Sequence, residues 1–317
     1  MGKHAASDTI SPQPASTPVA EAARELIDQR LTAVRECLRK ALHRPKRRRQ
    51  HIHALRVATR RATAAVDLFR DCLPKPIRKE ARAALRSLRK AVGGARDWDV
   101  LLEALATTMH AAAPADLPSL DMLTGWALAH RSQAQAALEQ AAHDCSPRTL
   151  KKLQARVVAA VRWKQKPQPS LGSFARPRIG QRLGDLAALA DRDNDAWSML
   201  HEVRIAGKRL RYTLEVVAGC VDPAMVEHVQ PALVRLQEVL GGVNDSFTAS
   251  RLLEDILSSM QDTTPAVADR YRPVLERQIA EHQQRMLNGR EAFTDWLSGW
   301  HRLAIQHTLK GISRHSS

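Results

Sequence analysis

HALRVATRRATAAVDLF at residues 53–69 and HEVRIAGKRLRYTLEVV at residues 201–217 are two writings of one pattern. His53 aligns with His201, Arg56 with Arg204, Arg60 with Lys208 and Arg61 with Arg209, each pair 148 residues apart. On a helix advancing about 100° per residue, His53, Arg56 and Arg60 share one face, while Leu55, Ala58, Ala62, Val66 and Phe69 share the opposite one. In the second copy His201, Arg204, Lys208 and Tyr212 face away from Val203, Ala206, Leu210, Leu214 and Val217. Each stretch therefore predicts an amphipathic helix with a dry stripe for a core and a cationic stripe facing away from it.

Like charges one turn apart cost a helix about 0.2–0.5 kcal/mol per pair. Such stacking is tolerated in water and becomes useful where an anion fills the gap. Arginine adds a planar fork that matches phosphate oxygens. Acids recur in the same register, Asp67 with Glu215. Arg211 stands one turn before Glu215, a spacing that predicts a local ion pair.

Working outward, LRKAVGGARD (88–97) aligns with LQEVLGGVND (236–245), again 148 apart, as are Cys72 and Cys220. Separate motifs in one gapless register mark an internal duplication. QRL at 29–31 and 181–183 continues the match with an offset of 152. The duplication predicts two similar helical bundles related by a pseudo-two-fold axis. Gly93-Gly94 and Gly241-Gly242 are expected to end a helix, glycine suiting the left-handed position there. Asp97 or Asn244 is then expected to cap the next one.

The rest of the chain agrees with an all-α protein. Apolar stripes at helical spacing predict a helix from Glu21 onward, striped by Leu26, Ile27, Leu31, Val34 and Leu38, and further helices at 50–72, 76–92, 98–112, 117–143, 147–161, 179–190, 196–219, 224–240, 246–261, 265–288 and 290–312. Aromatics are only 4% and β-branched clusters are few, which excludes an all-β fold. Residues 1–20 are rich in Ser, Thr, Pro and Ala and read as a disordered tail. WKQKPQPSLGSFARPR (163–178) reads as the linker between repeat one, about 21–162, and repeat two, about 179–312.

Lys and Arg number 49 against 33 Asp and Glu, a net charge of +16 that implies a polyanionic partner. The four cysteines form no CxxC pair, which excludes a zinc ribbon. No apolar run is long enough to span a membrane. The N-terminus lacks the apolar core of a secretory signal, so a reducing cytoplasm is expected.

H-x-x-R-V-A-x-x-R at 53–61 with G-G-x-R-D-x-D-V at 93–100, and their second copies, resemble the CHAD family, the conserved histidine α-helical domain. The resemblance covers about residues 21–312. It implies two helical bundles with internal pseudo-two-fold symmetry, a basic groove or channel between them, and binding of inorganic polyphosphate at polyphosphate granules. Some members carry a triphosphatase domain with an E-x-E-x-K strand, which this sequence lacks, so hydrolysis is not carried over. Lys208 and Asn244 depart from the first copy's Arg60 and Arg96.

The expected binding residues are His53, Arg56, Arg60, Arg61, His201, Arg204, Lys208, Arg209 and Arg211. Arg82, Arg86, Arg89, Lys90, Arg30 and Arg182 form a secondary basic track. Arg78, Lys79 and the Lys46-Arg47-Arg48-Arg49 run could extend it. No cofactor, metal or catalytic constellation is expected. Nucleic acid is the alternative partner, non-specific at low salt, but no zinc finger or stacking-aromatic pattern accompanies the charge. A metal or phosphohydrolase site at His53, His201, Asp97 and Asp245 is the other, and the surrounding arginines oppose a cation electrostatically.

Overall fold

In the computed structural model, residues 13–44, 47–192, 196–221, 223 and 225–303 are described. Among them no strand occurs, and nine long helices follow one another: α1 (Val19–His43), α2 (Arg48–Leu68), α3 (Lys75–Ala111), α4 (Leu117–Asp144), α5 (Pro147–Ala160), α6 (Leu171–Ala190), α7 (Trp197–Val216), α8 (Gln230–Thr263) and α9 (Pro265–Leu303). The all-α expectation holds.

Apolar stripes drive the assembly. Leu55, Ala62 and Val66 of α2, and Val203 and Leu210 of α7, are almost wholly buried. They belong to one continuous core that takes residues from both halves, from Val19 in α1 to Trp300 in α9. A second core joins the far ends of the long hairpins, with Leu101, Leu105 and Leu123 against Leu253, Ile256 and Leu275. Across the halves α1 touches α6, α2 touches α7, α3 touches α8 and α4 touches α9. The α2–α7 contact brings the two motif helices together.

Three local expectations are corrected. Gly93-Gly94 and Gly241-Gly242 end no helix: α3 and α8 run straight through them, and no described glycine has positive φ. Glycine costs a helix interior only about 1 kcal/mol, which packing along a long hairpin outweighs. Gly93 lies against the Arg56 guanidinium, whose Nη1 is 3.4 Å from where a Cβ would stand, an ordinary contact distance. The helices expected at 76–92 and 98–112 are accordingly one, and Asp97 lies mid-helix rather than at a cap. The stretches at 246–261 and at 265–288 with 290–303 likewise fall within α8 and α9, while residues 304–312 lie outside the described ones.

The linker is shorter than its composition implied. Ser170 caps α6, accepting from the Ser173 amide at 3.3 Å, so the helix already starts at Leu171 and carries Pro177 inside it. The tail expected at 1–20 falls partly on residues 1–12, outside the described ones. Residues 14–19 are held: Leu171 N–H donates to the Thr17 carbonyl at 2.7 Å and Val19 N–H to the Pro169 carbonyl at 3.0 Å. Backbone pairing, invisible in composition, fixes the start of α1 against the start of α6.

Candidate functional site

Where α2 meets α7, their polar stripes turn toward each other. Arg56 and Arg60 from α2 come near Arg204 and Lys208 from α7, and Asp97 of α3 and Asp245 of α8 supply the opposing charge. Arg56 Nη1 lies 4.0 Å from Asp97 Oδ1. The cations outnumber the acids, and the crowding shows in their protonation. Burial first, then Arg60, Arg204 and Arg56, push the Lys208 ammonium down to about 6, against the pull of Asp245. Burial and Arg60 bring Arg204 to about 10. Arg56 is lowered by burial and then by Arg60. Asp97 is raised, because its own burial outweighs the nearby Arg56.

Beside this cluster opens a cavity of about 920 Å³, which Arg60 and Lys208 line while Arg56, Arg204 and His201 lie outside its lining. His53, Arg60, Arg61, Lys208, Arg211 and Arg30 line it, all predicted from sequence, together with Arg47, Arg49 and Arg96. His53 is exposed, and its imidazole is held below the usual histidine range by partial burial and by Arg96 and Arg56. His201 is lowered by burial and by Arg204 and Lys208. Its ring tilts against Trp197, centroids 5.5 Å apart, and its Nδ1 is buried without a hydrogen-bond partner. Among the described residues neither imidazole hydrogen-bonds Asp97 or Asp245.

Not every predicted cation is open. Glu215 takes Arg61 Nε at 2.7 Å and Arg211 Nε at 3.1 Å, which ties α2 to α7 and neutralises part of the cavity wall. Arg30 is buried and donates to the Glu215 carbonyl at 3.3 Å. On the other face of α7, Arg209 lines a separate groove of about 320 Å³ with Arg82 and Arg182. Arg82 pairs with Asp67 at 3.2 Å and Arg182 with Asp185 at 3.6 Å. Arg89 is half-buried near Arg60, Arg86 and Arg82, which lower it after burial. Arg86 and Lys90 are exposed on α3, outside the lining of both grooves. Lys46 of the basic run lies outside the described residues.

Sequence reasoning missed how Arg49 is held. Asp99 is fully buried; its Oδ1 accepts from Arg131 Nε at 3.1 Å and forms an ion pair with Arg49, whose Nε lies 3.3 Å away. Arg131 in turn donates to Gln135 at 3.2 Å on α4. A carboxylate on the apolar side of α3 was the available signal, in the D-W-D run at 97–99. Among the described residues no group of three or more His, Cys, Asp or Glu side chains is gathered as metal ligands would be. No helix there is long and apolar enough to cross a membrane.

Comparison with known proteins gives one family. The model of the CHAD domain matches residues 25–254. The fold is similar to the crystal structure of the CHAD domain from the plant Ricinus communis, with a TM-score of 0.70 and 24% identity over 92% of this chain and 97% of that one. It is also similar to PptA from Streptomyces chartreusis, with a TM-score of 0.67 and 19% identity over 89% of this chain and 100% of that one. No curated protein matches the sequence.

Proposed function

The chain belongs to the CHAD domain family, and from that premise we propose that it binds inorganic polyphosphate without transforming it, on the cationic surface where α2 meets α7. The observation that carries this reading is the gathering of Arg56 and Arg60 of α2 with Arg204 and Lys208 of α7, where burial first and the neighbouring guanidinium groups next bring Lys208 to about 6. Clustered, half-desolvated cations are unfavourable alone and are relieved by an incoming anion. Guanidinium forks suit phosphate oxygens. A phosphate chain has no base or sugar to be read, which suits a cavity walled by arginines, with Tyr212 its one aromatic ring besides the His53 imidazole among the described residues. In the cell this chemistry would place the protein at cytoplasmic polyphosphate granules, as a tether or organiser.

The test is a titration with long-chain polyphosphate at several salt concentrations. About six phosphate contacts, at roughly 0.7–0.9 each, give a slope of log K against log salt near −4 to −5. Arg56→Ala with Arg204→Ala should weaken binding strongly while circular dichroism stays helical. A flat salt response, or binding unchanged in the double variant, would overturn the proposal. DNA of equal charge displacing the polyphosphate would favour the nucleic-acid reading instead. Release of phosphate from the bound chain would overturn the non-catalytic part.

A further inference from the structure

The second copy of the repeat departs from the first at two neighbouring positions. Lys208 stands where the first copy has Arg60, and Gln237 where it has Arg89, each pair 148 residues apart. In the first half Arg89 lies near Arg60, which lowers it after burial. In the second half Gly207 lets α7 close on α8. A Cβ at Gly207 would stand 2.7 Å from Leu236 Cδ2 and 3.0 Å from Gln237 Nε2. The missing side chain thus lets the Gln237 carboxamide lie against the backbone just before Lys208.

Both side chains line the 920 Å³ cavity, where Lys208 is the one lysine beside seven arginines among the described residues. The substitution changes what the position can do. An arginine stays protonated, whereas a lysine desolvated among guanidinium groups gives up its proton and becomes a nucleophile. Burial, Arg60, Arg204 and Arg56 bring Lys208 to about 6, with Asp245 the opposing charge, so at about pH 7 most molecules present a free amine. Gln237 adds an independent sign of a guest: its Nε2 and Oε1 are both buried without a hydrogen-bond partner. An unsatisfied buried carboxamide is unfavourable until a ligand meets it. Three parts of an acyl-transfer site therefore share one wall. They are a free amine, guanidinium groups that hold a phosphate, and an amide donor for a carbonyl oxygen.

We propose that Lys208 is a modification site that takes an acyl group from small acyl phosphates. The phosphate of the donor rests on Arg60 and its neighbours, and the Gln237 amide donates to the carbonyl oxygen. The Lys208 nitrogen attacks the carbonyl carbon. A C–N bond forms, the bond from that carbon to the bridging oxygen breaks, and the amine proton leaves with the phosphate as hydrogen phosphate. The product is a neutral amide that can no longer take up a proton. Modification therefore loosens the hold on a phosphate chain, a consequence that rests on the polyphosphate reading above; the acylation itself does not.

The experiment incubates the full chain with acetyl phosphate at about pH 7 and follows each lysine by peptide mass spectrometry. Lys208 should be acetylated at least about tenfold faster than Lys151, which is exposed on α5. Excess inorganic phosphate should abolish that preference. Gln237→Leu should slow Lys208 about tenfold and leave Lys151 unchanged, with the circular dichroism unaltered. Acetylation of Lys208 no faster than that of Lys151 would overturn the site. A preference that survives excess phosphate would overturn the recognition of acyl phosphates, and an unchanged rate in Gln237→Leu would overturn the part given to the carboxamide. Acetylated protein should bind polyphosphate several-fold more weakly; equal binding would overturn that consequence. Failure of the unmodified protein to bind polyphosphate would overturn the earlier reading and leave the acylation standing.

Discussion

Lys208→Met removes one ammonium from the centre of the cationic cluster and leaves a side chain of similar length. Burial and Arg60, Arg204 and Arg56 hold Lys208 at about 6, while Asp245 opposes them. At pH 7 only about a tenth of free molecules then carry the charge. A bound phosphate restores it, so binding takes up close to one proton. Affinity should therefore fall about tenfold per pH unit between about pH 7 and 8, or about 1.4 kcal/mol per unit. His53 and His201 both start below their ordinary 6.5, so the lysine dominates in this window. Calorimetry at about pH 7.5 in two buffers of different ionisation enthalpy counts the protons. The methionine variant should take up almost none and lose the pH slope. Wild-type binding without proton uptake, or equal uptake by the variant, would refute the reasoning. The same shift affects the free protein. Between about 6 and the ordinary 10.5 the unfolded chain binds the extra proton, so stability rises with pH through that window and carries the full penalty below it. The variant should flatten that rise in thermal melts.

Two further outcomes concern the frame of the site. Glu215→Gln removes the charge that occupies Arg61 and Arg211; it should cost about 1 kcal/mol of stability and strengthen polyphosphate binding several-fold at low salt, and weaker binding would mean that Glu215 aims the arginines rather than neutralising them. Leu210→Ala empties a fully buried position on α7 and should cost about 2–5 kcal/mol in urea unfolding; a loss below about 1 kcal/mol would contradict the packing described.

The candidate site was legible in part. His53, Arg56, Arg60, Arg204 and Lys208 were found because the repeat aligned them and helical periodicity put them on one face. The state of Lys208 was not legible, because it depends first on burial in the folded chain and then on Arg60 and Arg56 of α2, far away in sequence, besides Arg204 of its own helix. Asp99 and its hold on Arg49 escaped because a lone acid in an apolar stripe says nothing of its partners. The Gly-Gly pairs misled for a different reason: a local preference worth about 1 kcal/mol yields to packing along the whole hairpin.

The sequence by itself determined the helices, their dry faces and the repeated cationic stripe, since all of these follow from spacing within a few turns. Tertiary structure alone decided which of those cations stay open to a ligand. Neutralisation works over a few ångströms, and the acids that supply it arrive from elsewhere in the chain: Glu215 onto Arg61, Asp99 onto Arg49, and Asp67 onto Arg82 rather than Arg209.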